Sequence, residues 1–298
     1  MDLKSEKILI AGAGISGIGA AALLGKAGIA AAIYDGNEEL DKEAVAAKLP
    51  EGMEISFELG EFKEELADKY DMLILSPGIS IHKPVAKAFY DRKKPVWGEI
   101  ELAYSFAKGR LIAITGTNGK TTTTALTGEI MKNYFKDVRV VGNIGIPYTS
   151  EAATMMDETV TVAEISSFQL ETMETFHPSV SAILNITPDH LNRHKTMECY
   201  IAVKESITKN QTKDDFCVLN YDDEVLRSFA QSCPATVIFF SSRHSLDEGF
   251  CMDGSRLVYR HDGKEEVIGT TDQFNLVGQC NYENIMACLL YTSDAADE

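Results

Sequence analysis

The sequence predicts an α/β protein of two parallel-sheet domains, and three observations carry that expectation. Short aliphatic or β-branched runs alternate with helix-length stretches, the pattern of parallel strands joined by crossover helices. A glycine cluster, Gly12-Ala13-Gly14-Ile15-Ser16-Gly17, follows the first such run, and a second cluster, Thr115-Gly116-Thr117-Asn118-Gly119-Lys120-Thr121, follows a later one. Finally, 298 residues with 45% hydrophobic side chains exceed one average domain and suffice for packed cores.

Taken in order, Ile8–Ala11, Ala30–Tyr34 and Met72–Leu75 read as the strands of the first domain, which is expected to span residues 1–95. Pro95 and a helical Ile100–Phe106 lead into a second βα series that begins at Leu111–Ile114, so the central domain is expected over 96–287. Further strands are expected at Val138–Val141, Val160–Ala163, Val180–Leu184, Phe216–Leu219 and Thr236–Phe240. A helix is expected over Met197–Asn210. Between Phe250 and Gly269 the turn pairs Asp253-Gly254 and Asp262-Gly263 punctuate short alternating segments, as in antiparallel hairpins.

Gly12 to Gly17 is a GxGxxG fingerprint in the strand-to-helix context that gives it meaning, which makes the first domain Rossmann-like. Its glycines allow a phosphate to approach a helix N-terminus, and Asp35 ends the second strand where a ribose-binding carboxylate would lie. Tight packing of strand against helix also selects glycine, so the motif alone points to a nucleotide without naming one. The second cluster is more specific. Strand, glycine loop and helix agree with a phosphate loop in which backbone N–H groups of Gly116 to Thr122 wrap phosphates, Lys120 reaches the terminal ones and Thr121 supplies a hydroxyl to Mg2+. It is a variant of the eight-residue pattern, with Ile114 where the first glycine would stand.

Glu164 ends one expected strand, and Asn185-Ile186-Thr187-Pro188-Asp189-His190 follows another. A carboxylate and an imidazole at neighbouring strand ends suit magnesium beside the loop's phosphates, while a surface-capping Glu and an ordinary loop His are the bland alternatives. His190 and His194 do not form a zinc-protease motif, because Leu191 stands where HExxH requires glutamate. Tyr200 and Lys204 lie one turn apart on a helix. Pattern alone assigns Lys204 no role, since a lysine there is usually solvated and its charge repels a metal.

Composition excludes several classes. A net charge of -17 argues against a nucleic-acid surface. The six cysteines show neither CxxC pairing nor the density of a secreted scaffold, which favours free thiols in a reducing cytosol and disfavours structural zinc. No apolar run approaches bilayer-spanning length, and the N-terminus runs directly into a strand, so the chain is expected to be cytoplasmic and to have no membrane partner.

The phosphate loop, Gly142-Asn-Ile-Gly-Ile-Pro147, Glu164-Ile-Ser-Ser-Phe-Gln-Leu170, Leu184-Asn-Ile-Thr-Pro-Asp-His190 and Asn281-Tyr-Glu-Asn284 together resemble the ATP-dependent Mur ligases. The glycine motif, Ser76-Pro77-Gly78-Ile79 and Gly98-Glu99-Ile100-Glu101-Leu102 resemble the members that join D-glutamate to UDP-N-acetylmuramoyl-L-alanine. The resemblance implies ATP and Mg2+ as cofactors, those two small molecules as substrates, and a monomer. It further implies a role for Gly116, Thr117, Asn118, Gly119, Lys120, Thr121, Thr122 and Asn284 in binding ATP. Thr121, Glu164, His190 and a carbamylated Lys204 would hold metal, with Lys120, His190 and Lys204 in catalysis. Ser16, Asp35, Ser76, Asn143, Ser166 and Gln169 would contact substrate.

The departures are Cys280 where the family has histidine and Asn192 where aspartate is common, and after Ala287 the residues 288–298 no longer resemble the family. These ligases carry a third, C-terminal domain, which the chain is expected to lack, so nucleotide binding with impaired ligation is expected. The competing readings are a nucleotide-binding fragment without turnover and a nicotinamide-dependent oxidoreductase resting on the first glycine motif and Asp35.

Overall fold

In the computed structural model, residues 2–53, 55–274 and 278–293 are described, the side chains of 290–293 excepted. The chain forms two units. The first runs from the N-terminus to Lys108 and adds Gly145–Met156 and Phe168–Phe176; the second comprises Gly109–Ile144, Asp157–Ser167 and the chain from His177.

The first unit holds a parallel sheet of β1 (Ile8–Ala11), β2 (Ala31–Asp35), β3 (Ser56–Leu59), β4 (Met72–Leu75) and β5 (Val96–Gly98) in the order β3-β2-β1-β4-β5. Its order reverses between β1 and β4, the switch point at which a crevice opens beyond the carboxyl ends of strands. Gly12 and Ser76 follow these two strands. The sequence reading placed a boundary near residue 95. In the structure β5 hydrogen-bonds to β4 with Leu75 opposite Gly98, and the two compact units part at Lys108/Gly109. β3 reads Ser-Phe-Glu-Leu and is only partly buried, so it lacks the continuous aliphatic run that marks β1 and β4, and β5 is three residues long.

The helix Glu99–Phe106 is anchored by Glu101, whose carboxylate is fully buried. Oε2 accepts from Glu174 N at 3.0 Å and Phe176 N at 3.1 Å, and Oε1 accepts from Thr175 N at 2.7 Å and from the Thr175 hydroxyl. Three successive amides are thereby held against one helix. Glu101→Gln turns one acceptor oxygen into a donor facing these N–H groups, so we expect about 2–4 kcal/mol of destabilisation, read as a lower urea midpoint with unchanged slope.

The second unit holds β6 (Arg110–Thr115), β7 (Val138–Gly142), β8 (Val160–Glu164), β9 (Val180–Ile183), β10 (Phe216–Asn220), β11 (Thr236–Ser241), β12 (Gly249–Asp253), β13 (Arg256–His261) and β14 (Lys264–Thr270). Their order is β14-β13-β12-β11-β10-β9-β6-β8-β7. Strands β6 to β12 pair in parallel, and β12, β13 and β14 pair antiparallel, as the turn signals anticipated. Asp262 and Gly263 both have positive φ, 50° and 69°, as a type I′ hairpin requires. β8 is buried along its whole length, the mark of a strand covered on both faces. One face packs Ile112, Ile114, Val160, Val162 and Val218 against Met131 of the helix Lys120–Met131 and Ile285 and Met286 of the helix Gln279–Ser293. The last helix reaches into the expected tail 288–298; residues 294–298 lie outside the described residues. Among the described residues, no helix is long and apolar enough to cross a membrane.

Candidate functional site

In the first unit, the chain turns from β1 into the helix Ile15–Lys26 through Gly12, at φ 98°. A Cβ on Gly17 would lie 1.8 Å from Gly12 O, so close packing itself demands a glycine there. Asp35 accepts from Ala13 N at 2.9 Å and from Asn37 N at 3.0 Å, which makes it an anchor of the glycine turn. Ser76 N bonds Ala11 O at 3.1 Å, and its buried Oγ has no hydrogen-bond partner among the described residues. An orphaned hydroxyl beside a glycine turn and an uncapped helix N-terminus suits an anionic, hydrogen-bonding ligand. Ser16 sits half-buried in the first turn of that helix. Gln169 also belongs to this unit, where its Nε2 donates to the buried Glu99 at 2.8 Å.

In the second unit the phosphate loop leaves β6 and enters the helix Lys120–Met131. Gly116 (φ 148°) and Gly119 (φ 86°) take conformations that side chains resist, and a Cβ on Gly119 would lie 2.4 Å from Asn284 Oδ1. Asn284, 8% exposed, therefore stands over the loop, and its Oδ1 accepts from Thr123 Oγ1 at 3.2 Å. Lys120 Nζ curls back to donate to Gly116 O at 3.0 Å and Thr117 O at 2.9 Å. Lys204 Nζ, from the helix Met197–Glu205, reaches the same Gly116 O at 2.9 Å and Thr115 Oγ1 at 2.9 Å. Thr121 and Thr122 are exposed in the first turn of the helix, among the N–H groups that have no intrahelical partner.

Two ammonium groups on one carbonyl repel, and Lys204 is 1% exposed. Burial first, then the positive charge of Lys120, pushes the Lys204 amine down to about 7, against the opposing pull of Asp189 and Glu164. Lys120 is lowered by burial too, opposed by Glu164 and Asp189. The buried Glu164 carboxylate, at the end of β8, accepts from Asn143 Nδ2 at 3.0 Å. His190 is half-exposed at φ 51°, with Nε2 3.4 Å from Asp189 Oδ2. Carboxylates set close enough to act on both lysines make a place for a divalent cation beside phosphates, and the hydroxyl, carboxylate and imidazole donors present are those a hard cation accepts.

A match to the Mur ligase middle domain covers residues 114–292, more than half of the chain, and a match to the Mur ligase MurD-like N-terminal domain covers residues 6–98. The chain belongs to the Mur ligase family. It is similar to the UDP-N-acetylmuramoylalanine–D-glutamate ligases of Lachnoclostridium phytofermentans, 50% identical over 289 residues, and of Lachnospira eligens, 50% identical over 295. These alignments cover 97% and 99% of this chain but 64% and 65% of the relatives' own lengths. In fold it is similar to the UDP-N-acetylmuramate:L-alanyl-gamma-D-glutamyl-meso-diaminopimelate ligase from Neisseria meningitides (TM-score 0.60, 16% identical, covering 97% of this chain and 93% of that one). It is likewise similar in fold to the UDP-N-acetylmuramate-alanine ligase from Thermotoga maritima (TM-score 0.55, 22% identical, covering 98% and 65%).

Mur ligases are ATP-dependent, and the assignment leaves the oxidoreductase reading without support: its Asp35 is engaged by the glycine turn. The structure distributes the expected residues between the units. Ser16, Asp35, Ser76 and Gln169 lie in the first, while Asn143, Glu164, Ser166, His190, Lys204, Asn284 and the phosphate loop lie in the second. Within the second unit it joins Asn143 to Glu164 and both lysines to Gly116. Two residues inside the motif Leu184–His190 were given no role of their own from the sequence. Asp189 acts electrostatically on Lys120 and Lys204, and Asn185 hydrogen-bonds the loop itself. Only strand pairing places them there.

Proposed function

We propose that the chain is the nucleotide-binding and ATP-using portion of a cytoplasmic, monomeric ligase that joins D-glutamate to UDP-N-acetylmuramoyl-L-alanine for peptidoglycan synthesis. The observation that carries the reading is the convergence of Lys120 and the buried Lys204 on Gly116 O in the phosphate loop, with Glu164 and Asp189 as the nearby anions. The relatives' names supply the substrates. Ser76 and the N-terminus of the helix Ile15–Lys26, with Ser16 in its first turn and Asp35 at the end of β2, are the groups we assign to the uridine nucleotide, and Asn143, Ser166 and Gln169 to the rest of the substrate.

The γ-phosphoryl group of ATP passes to the substrate carboxylate, giving an acyl phosphate and ADP. The amine of D-glutamate then attacks, and phosphate leaves through a tetrahedral intermediate. Lys120 offsets charge on the transferring phosphoryl oxygens, and the N–H groups at the N-terminus of the helix Lys120–Met131 hold the phosphates. Thr121, Glu164 and His190 would hold Mg2+, which when bound offsets negative charge on the phosphates. Lys204 suits this place in one chemical form. An amine with its basicity lowered to about 7 is partly neutral at physiological pH, and addition to CO2 forms an N–C bond, releases a proton and leaves an anionic carbamate. That group replaces a repelling cation with a carboxylate-like ligand.

The test is phosphate release from Mg-ATP by the purified chain, with and without UDP-N-acetylmuramoyl-L-alanine. Release that requires the muramoyl compound is the expected result. Retained ATP binding without such release would leave a nucleotide-binding module, and absence of ATP binding by calorimetry would overturn the reading.

A further inference from the structure

We propose that Asn185 is the positioning residue of the phosphate loop, setting which of the loop's amides face the nucleotide. The inference rests on the assignment of Gly116–Thr121 as the ATP loop. β9 pairs in parallel with β6 up to Ile183 opposite Thr115, and the chain beyond it continues the ladder past the end of the strands. Leu184 N bonds Thr115 O at 3.0 Å, and Thr117 N bonds Asn185 O at 2.9 Å. There the backbone ladder stops and a side chain takes over. Asn185 Oδ1 accepts from Asn118 N at 2.8 Å, and Asn185 Nδ2 donates to Asn118 O at 3.1 Å. A primary amide is the side chain of this length that offers one acceptor and one donor in a plane, so it pairs with the peptide groups of Asn118 as another strand would.

Two consequences follow. The N–H groups of Thr117 and Asn118 are both occupied by Asn185, so beyond them the amides that face phosphate are those of Gly119, Lys120, Thr121 and Thr122, at the start of a twelve-residue helix. The anion site is thus confined to the helix N-terminus instead of being spread over the whole loop. The same strand extension carries Thr187, whose N–H bonds Thr117 Oγ1 at 3.0 Å, and then Asp189 and His190. Asn185 therefore also fixes the phosphate loop against the segment that bears those residues. Lys120 and Lys204, which both depend on where Gly116 O points, are set by the same clamp.

Calorimetric titration of ATP into the full 298-residue chain at 25 °C tests this, with Asn185→Ala, Asn185→Asp and Lys120→Ala beside the unaltered protein. Asn185 is only half-buried, so the near-isosteric Asn185→Asp should fold normally, and melting curves verify this for both variants. Loss of two neutral hydrogen bonds should weaken ATP binding in Asn185→Ala by about tenfold to a hundredfold. Asn185→Asp should bind more weakly still, because its second oxygen faces Asn118 O and its charge faces the phosphates. A packing role would reverse that order, since aspartate keeps the shape and alanine does not. Wild-type affinity in both variants, or alanine weaker than aspartate, overturns the inference while Lys120→Ala still loses ATP. If Lys120→Ala binds ATP as the unaltered chain does, the phosphate-loop assignment fails and the clamp with it.

Discussion

Lys120→Ala is expected to weaken ATP binding by at least about a hundredfold and to reduce phosphoryl transfer by about a thousandfold, with the fold unharmed. The magnitude follows from the surroundings of the ammonium. Its hydrogen bonds go to two backbone carbonyls, Gly116 and Thr117, so among the described residues its charge is not spent on a close ion pair. It is partly buried, and burial lowers its basicity, so an incoming phosphate meets a cation with little competing solvent. Nothing else in the loop carries positive charge. Removing the side chain removes a desolvation cost, and the melting temperature should stay level or rise. Calorimetry of Mg-ATP binding and a thermal melt of the same sample measure both halves, and an inactive variant that also melts early would mean that Lys120 is structural.

Lys204→Met should give opposite signs in two measurements, more stable and far less active. With no bound ligand, burial and Lys120 hold the Lys204 amine near 7 in the folded chain, against about 10.4 when unfolded. Between those values the unfolded chain binds the extra proton, so the stability of the unaltered protein rises with pH across roughly 7 to 10, at up to about 1.4 kcal/mol per pH unit. At and below about pH 7 the cost of keeping the buried amine is at its largest. Methionine fills the same space without that cost and loses two hydrogen bonds, so we expect a net gain of about 2 kcal/mol at pH 7 that shrinks as pH rises towards 10. Turnover should fall by about a hundredfold or more, because methionine forms no carbamate and offers the metal no anion. Urea denaturation of both proteins at pH 7 and pH 9.5 reads the first effect. A stability difference that does not change with pH would show that Lys204 stays protonated in the folded protein throughout.

Stability and function conflict at Lys204, and that explains why pattern alone gave it no role. A lysine on a helix looks solvated in sequence, and its burial arises from the packing of Met197–Glu205 against the end of β6. Asp189 illustrates the same gap. Beside Pro188 it is a turn residue by every local rule, and its electrostatic part emerges only when the segment after β9 lies next to the phosphate loop. Glu101 is the counterpart in the first unit, an acidic residue on a helix whose four hydrogen bonds come from residues more than seventy positions away.

The sequence by itself determined what short-range geometry controls. Strand, glycine turn and helix occur in consecutive residues at Gly12 and again at Gly116, and the two Asp-Gly turns are equally local, because positive φ and helix N-termini are set by neighbours in the chain. The edge strands Ser56–Leu59 and Val96–Gly98 were not legible, the first because its mixed, partly exposed residues form no aliphatic run and the second because it is three residues long. Tertiary structure alone decided the assembly of the site. The order β9-β6-β8 places the ends of β9 and β8 on either side of the loop that follows β6, so Asn185 clamps it from one strand end and Glu164 stands at the other. Nothing in the spacing of 116, 164, 185 and 204 encodes that order. It results from long-range parallel pairing that buries β6 and β8 between neighbouring strands, and burial beside their ends lowers the basicity of the two lysines.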